Sequence, residues 1–223
     1  MAVEYEARVN RIVEHAPDTR SLFLRGVRLQ NRPGQFISCL LPVGGETLIR
    51  PYSIVSDPGD DDLEICLNRV PGGLGSAYLL ALAIGSTLRF TGPWGTFVLD
   101  RAPEVETVFI ADGTGIAPIV PMIRRAVASA RGHPLRLLHA AGDGDIFLYR
   151  TQLDDLARRA PILTVERVQR GTLDPEVARR WIDADGDRTR RFYVCGVGAI
   201  VPRLRDMLRG AGYERRGVQY EKW

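Results

Sequence analysis

The sequence predicts a two-domain protein, an antiparallel β-barrel followed by an α/β domain built on a parallel sheet. Two observations point there. The first hundred residues carry short apolar runs broken by glycine and proline, the pattern of a small antiparallel barrel. From about residue 105 onward, apolar runs alternate with stretches of helical period, which implies βαβ units. A chain of 223 residues has room for two small domains, and a hydrophobic content of 45% is enough for a core in each. The boundary is expected at Arg101-Ala102-Pro103-Glu104, which divides the chain into residues 1–100 and 101–223.

In the barrel half, residues 3–13 alternate loosely and residues 19–28 continue as a second strand. The turn signal Asn31-Arg32-Pro33-Gly34 precedes a third strand at 34–41. A fourth is expected at 48–55, and the turn Ser56-Asp57-Pro58-Gly59-Asp60 separates it from a fifth at 62–70. A short helix follows at 76–82, then a sixth strand at 86–90 and a run of turn residues at 91–97. In the second half, strands are expected at 105–111, 135–140, 162–168 and 191–196. Helices are expected at 117–131, 148–159, 174–182 and 200–211. Pro118 and Pro121 are placed in the first turn of the 117–131 helix, where missing amides cost little.

Bulk properties exclude several classes. A net charge of +3 makes no case for nucleic acid. No apolar run is long enough to span a membrane, and the charged N-terminus lacks a signal-peptide core, so a cytoplasmic protein is expected. Cys39, Cys66 and Cys195 are widely spaced and form no C-x-x-C pair, so no disulfide framework, zinc site or iron–sulfur cluster is encoded. Lys222 is the only lysine, a skew that reads as base composition, although arginines clustered on one face would attract an acidic partner.

Five stretches carry chemistry. In Arg50-Pro51-Tyr52-Ser53, strand alternation puts the cation and the phenol ring on one face. That pair suits a ligand anionic at one end and flat at the other, or a plain edge strand. Pro71-Gly72-Gly73-Leu74-Gly75-Ser76 leads into the short helix, either as an anion site with Ser76 as its cap or as a hairpin loop. Asp112-Gly113-Thr114-Gly115 joins a strand to a helix and offers amides to a phosphate, although the third glycine of the usual dinucleotide fingerprint is absent. Cys195-Gly196 closes the last of these strands, where ligands of open α/β sheets bind, although a buried thiol would serve packing equally. The chain ends Glu221-Lys222-Trp223, whose aromatic is expected against something flat or apolar.

Taken together and in this order, the stretches resemble the ferredoxin–NADP reductase superfamily, and the resemblance spans essentially the whole chain. Arg50-Pro51-Tyr52-Ser53 is similar to the family's R-x-Y-S flavin motif, and Gly92-Pro93-Trp94-Gly95-Thr96-Phe97 to its G-P-x-G-x-F. The resemblance implies a flavin-binding barrel and a five-stranded nucleotide-binding domain. It implies that Arg50 holds the flavin pyrophosphate, Tyr52 stacks on the isoalloxazine, and Ser53 bonds near its N5. Pro51, Leu67, Asn68, Gly73, Leu74, Gly75 and Ser76 would complete the FAD site, with Trp223 covering the ring until nicotinamide displaces it. Gly113, Thr114, Gly115, Cys195 and Gly196 would hold NAD(P)H, and Ser53, Cys195 and Glu221 would serve catalysis.

The implied activity is electron transfer from NAD(P)H through FAD to a ferredoxin-like or oxygenase partner. With no cysteine cluster of its own, the chain is expected to use a separate acceptor. FAD is preferred to FMN because two loops leave both a phosphate and an adenosine to fill. A free-flavin reductase and a non-catalytic flavin-binding sensor module are the alternative readings. After His139-Ala140, where many NADP-using relatives carry an arginine, this chain has Ala141-Gly142-Asp143-Gly144-Asp145. Two carboxylates there would repel a 2′-phosphate or bond a ribose hydroxyl. Arg167 and Arg170 could supply the missing charge or lie solvated at the surface, which leaves NADPH and NADH both open.

Overall fold

The computed structural model describes residues 3–129, 131–142, 144–184 and 186–223. The chain divides into two compact units, Met1–Asp100 and Arg101–Trp223.

Six strands form the first unit: β1 (Glu4–Ala16), β2 (Thr19–Arg25), β3 (Phe36–Val43), β4 (Glu46–Ser53), β5 (Asp62–Asn68) and β6 (Thr87–Trp94). They pair antiparallel in the order β4-β3-β6-β1-β2-β5. The two edges meet just past β4, where Ile54 bridges Ile65 and the Val55 amide donates to the Glu64 carbonyl at 2.8 Å. Edge pairing of this kind leaves few open backbone groups and turns the sheet into a barrel. Alternate residues fill the interior, among them Leu22, Leu24, Ile37, Cys39, Leu41, Ile65, Leu67, Leu88 and Phe90. The helix α1 (Leu74–Leu80) adds Leu79 and Leu80 to the same core. Strand β6 runs through Gly92-Pro93-Trp94, which the turn-rich composition had assigned to a loop. Pairing with β3, which reaches Trp94 opposite Phe36, extends it.

The second unit begins with β7 (Thr107–Asp112), a 3₁₀ turn at Gly113–Gly115 and the helix α2 (Ile116–Ala128). It continues with β8 (Leu135–Ala141), α3 (Arg150–Arg159), β9 (Leu163–Gln169), a 3₁₀ turn at Arg170–Thr172, α4 (Leu173–Trp181), β10 (Arg191–Gly196), α5 (Ile200–Gly210) and β11 (Val218–Lys222). The five strands are parallel in the order β11-β10-β7-β8-β9. Every residue of β7 is buried, as a central parallel strand covered on both faces requires. The fifth strand, β11, lies in what read as a terminal tail. Its residues Val-Gln-Tyr-Glu-Lys are too polar to announce a strand, and pairing along β10 supplies the order. Pro121 lies in the second turn of α2 rather than the first, because the helix starts at Ile116, so its missing amide leaves the Ala117 carbonyl without an α-helical partner. Among the described residues no helix is long and apolar enough to cross a membrane.

Candidate functional site

In the barrel unit, the end of β4 and the start of α1 come together. Arg50 and Pro51 are exposed, Tyr52 is half-buried and Ser53 is buried. A β-carbon on Gly75 would stand 2.9 Å from Arg50 Cγ and 3.3 Å from a Leu41 methyl. Only glycine lets the Arg50 stem lie across the start of this helix. The guanidinium donates to the Ile49 carbonyl at 2.8 Å and has no carboxylate partner among the described residues. Gly72, with φ +71°, sets the preceding turn. A cation without a counter-ion beside the unbonded amides of a helix start fits a phosphate group. Burial pushes the Tyr52 phenol up to about 12, with Cys39 adding to the rise and Arg50 opposing it, so the ring stays a neutral, flat surface. The Ser53 hydroxyl makes no hydrogen bond to the protein among the described residues.

Four residues of the expected flavin site have surroundings the motif did not convey. Ser76 does not cap α1 with its side chain; Gly73 is the N-cap. The Ser76 hydroxyl closes the glycine loop, accepting from the Val70 amide at 3.0 Å and donating to the Gly73 carbonyl at 3.1 Å. Leu67 points its side chain into the barrel core, which leaves only its backbone for a ligand. Asn68, opposite Thr19 at the end of β5, is exposed. Leu74 is 63% exposed, an apolar side chain with no protein cover beside the glycines.

In the α/β unit, successive strands run β7, β8, β9 to one side, and β10 then returns to the other side of β7. The crevice beyond the carboxyl ends of β7 and β10 is therefore the topological switch point, where open α/β sheets take ligands. Gly113, with φ +56°, starts the turn after β7, with Thr114 partly exposed beside it. A β-carbon on Gly115 would stand 2.3 Å from the Cys195 carbonyl oxygen, and one on Gly196 would stand 2.9 Å from Asp112 Cβ. The two glycine-bearing stretches are thus pressed together, backbone against backbone, as a ligand cradle at this crevice requires.

The C-terminal strand completes this end of the sheet. Cys195 pairs with Glu221 in register, and the Trp223 amide donates to the Gly196 carbonyl at 3.1 Å. Burial keeps the Cys195 thiol protonated, helped by the Glu221 charge and opposed by hydrogen bonds from the Trp223 side chain and the Gly196 backbone. Cys195 is therefore a neutral thiol and not a nucleophile. Burial lifts the Glu221 carboxyl to about 7, and its Oε2 is a buried atom without a hydrogen-bond partner among the described residues. A carboxyl near neutrality with an unfilled acceptor suits proton handling close to pH 7.

Arg167 and Arg170 both stand near the ends of the strands, and both are tied to carboxylates. Arg167 is half-buried and donates to Asp154 at 2.6 Å. Arg170 donates to Asp112 at 2.6 Å and approaches Asp145 at 3.4 Å. Asp143 lies outside the described residues. Two further polar groups escaped the sequence reading. Asp112 is buried at the end of β7, the only charged residue of that strand, and that oddity was the available signal. His139 is fully buried beneath the turn, with Nε2 3.3 Å from the Gly113 carbonyl oxygen and Nδ1 without a partner among the described residues.

Residues 7–99 match the family model of an oxidoreductase FAD-binding domain, and residues 109–206 that of an oxidoreductase NAD-binding domain. The chain is 31% identical to ferredoxin–NADP reductase B of Sorangium cellulosum, an alignment that covers 100% of this chain and 98% of the relative. The chain belongs to the ferredoxin–NADP reductase superfamily. It is an oxidoreductase that uses FAD and NAD(P)H. The electron transfer component of toluate 1,2-dioxygenase from Pseudomonas putida is 25% identical over 98% of this chain and 67% of its own length. The superfamily fold appears in the crystal structure of a ferredoxin NADP+ reductase from Neisseria gonorrhoeae with bound FAD and NADP, at TM-score 0.85 and 18% identity over 100% of this chain and 99% of that one. The glycine cradles and the unpaired Arg50 are what FAD and a nicotinamide nucleotide require, so the residues present fit both groups.

Proposed function

We propose that this protein carries electrons from NAD(P)H through FAD to a ferredoxin-like or oxygenase one-electron acceptor. The observation that carries the reading is the end-to-end alignment with a ferredoxin–NADP reductase, which runs through both units. In this reading residues 1–100 hold FAD and residues 101–223 hold the nicotinamide nucleotide.

When bound, FAD would supply the redox chemistry, two-electron exchange with NAD(P)H and one-electron exchange with the acceptor. The protein's part is binding, orientation and proton handling. Arg50 neutralises the flavin pyrophosphate, and the Gly73–Ser76 backbone offers amides beside it, with Leu74 as apolar cover. Tyr52 lends its neutral face to the ring, and Pro51 restricts the backbone before it. The Ser53 hydroxyl, having no hydrogen-bond partner among the described residues, is available to a polar edge of the flavin. Leu67 and Asn68 contribute strand-end backbone. Gly113–Gly115 hold the nucleotide phosphates, and Cys195 with Gly196 forms the floor on which the nicotinamide lies. Glu221 stores a proton near neutrality, and Trp223 offers a flat surface to a ring. Arg167 keeps its candidacy for the 2′-phosphate, whereas Arg170 is engaged by Asp112 and Asp145.

The experiment is to purify the protein with FAD, bleach the flavin anaerobically with NADPH or NADH, and follow cytochrome c reduction with and without a ferredoxin. Comigration of flavin with protein, bleaching, and ferredoxin-dependent cytochrome reduction are expected. Flavin that separates on gel filtration but is consumed as a substrate would instead mark a free-flavin reductase.

A further inference from the structure

Asp112 is the N-cap residue of the Gly113–Gly115 turn. An aspartate in that position ordinarily folds back to accept the first amides of the turn. Here the side chain makes no capping bond. Its Oδ1 accepts instead from Arg170 Nε at 2.6 Å, across from the end of β9. The Asp112 side chain is 4% exposed and that of Arg170 44%. The guanidinium leans against the loop, since β-carbons on Gly113 and Gly142 would stand 3.2 Å and 2.7 Å from its terminal nitrogens. Asp145, which approaches the same guanidinium, is anchored by accepting the Gly142 amide at 3.0 Å.

We propose that Arg170 is a positioning residue that draws the Asp112 carboxylate away from the first amides of the turn and so keeps them open to the nucleotide's phosphate. The inference rests on the reading that Gly113–Gly115 bind that phosphate. A carboxylate left at the cap would take the same amides and repel an incoming anion, since both seek the same positive end of the turn. Burial already lifts the Asp112 carboxyl above its ordinary value, and the Arg170 hydrogen bond opposes the rise, so the guanidinium also holds the charge it diverts. The cluster holds one guanidinium between two carboxylates, which is a poor receptor for a 2′-phosphate dianion. The pyrophosphate is common to NADH and NADPH, so the role is blind to the 2′-phosphate.

The test uses the FAD-loaded protein, with ferricyanide as acceptor and either NADPH or NADH as donor. R170M is expected to raise KM for both nucleotides by a similar factor, on the order of 10-fold for one charge-assisted interaction, with kcat nearly unchanged. Adding D112A to R170M is expected to return both KM values toward wild type, because no carboxylate remains to be diverted. A rise for NADPH alone, or a double variant as impaired as R170M, overturns the proposal. Where R170M does not fold, D112A is compared with D112A/R170M; equal KM values support the proposal and a further rise on losing Arg170 overturns it. Amide chemical shifts of Gly113–Gly115 on adding NADP+ separate the two levels. Silent amides sink both the phosphate site and this inference, whereas responsive amides with an unchanged KM in R170M sink the Arg170 role alone.

Discussion

Gly115 and Cys195 meet backbone to backbone: a β-carbon on the glycine would lie 2.3 Å from the cysteine carbonyl oxygen and 2.5 Å from its carbonyl carbon. One side of the contact is the turn after β7, and the other is the end of β10. No side chain can yield to relieve that contact, because both partners are main chain. Gly115→Ala is therefore expected to push the two strand ends apart, at a cost of about 1–3 kcal/mol. The urea midpoint should fall and the KM for NAD(P)H should rise. A variant with wild-type midpoint and KM would show that the crevice tolerates the separation.

Arg50 crosses Gly75, and each bears on the flavin differently. Arg50→Ala removes the unpaired cation and is expected to weaken FAD retention by about 10- to 100-fold, the scale of a charge-assisted phosphate contact. Gly75→Ala keeps the charge but displaces its stem, so a smaller loss is expected with the fold intact. Tyr52→Ala should alter the flavin absorbance and fluorescence even where FAD remains bound. Equilibrium dialysis with FAD and visible spectra of the three variants check these outcomes; equal affinity in wild type and Arg50→Ala would reject the phosphate role.

Glu221 sets a pH dependence with a definite sign. Its carboxyl titrates at about 7 in the folded protein against 4.5 as a free side chain, because burial disfavours the charge. The stability this group contributes is present below pH 4.5 and is lost as the pH rises through about 7. The difference in melting temperature between wild type and Glu221→Gln should shift against the wild type across that window. If Glu221 supplies a proton during turnover, the rate should fall above pH 7, and Glu221→Gln should flatten the profile. An unchanged profile in the variant would remove Glu221 from proton handling.

His139 predicts the opposite slope. Burial drives its imidazole down to about 4 from 6.5, the Gly113 hydrogen bond opposing and the Arg167 charge adding to the effect. Its contribution to stability is present above pH 6.5 and is lost as the pH falls through about 4, at most roughly 3 kcal/mol for such a shift. Urea titrations at pH 7 and pH 4.5 should show a smaller acid loss in His139→Phe than in wild type. A neutral ring with its proton on Nε2, donating to the Gly113 carbonyl, is the tautomer that nitrogen NMR should report.

Much of the architecture was legible because its causes are local. Alternation along residues such as Leu22, Leu24, Ile37, Cys39 and Leu41 marks a half-buried strand wherever it occurs. The glycines at 113 and 115 mark a sharp turn between a strand and a helix for the same reason. Three things had no local signature. The strand β11 is polar and owes its order to β10. The Ser76 hydroxyl looked like a cap and instead closes its own loop. Arg170 looked like a surface cation and instead holds Asp112, a partner 58 positions away.

The sequence by itself determined the two-part division of the chain, the strand and helix periods, and the residue types that FAD and a nicotinamide nucleotide demand. Those follow from propensity and spacing, which each segment carries alone. Only the tertiary structure decided that Arg50 lies over Gly75, that Gly115 touches Cys195, and that Arg170 is bonded to Asp112. Such contacts join residues far apart in the chain, and whether a charge is free or neutralised depends on which neighbours the fold brings to it.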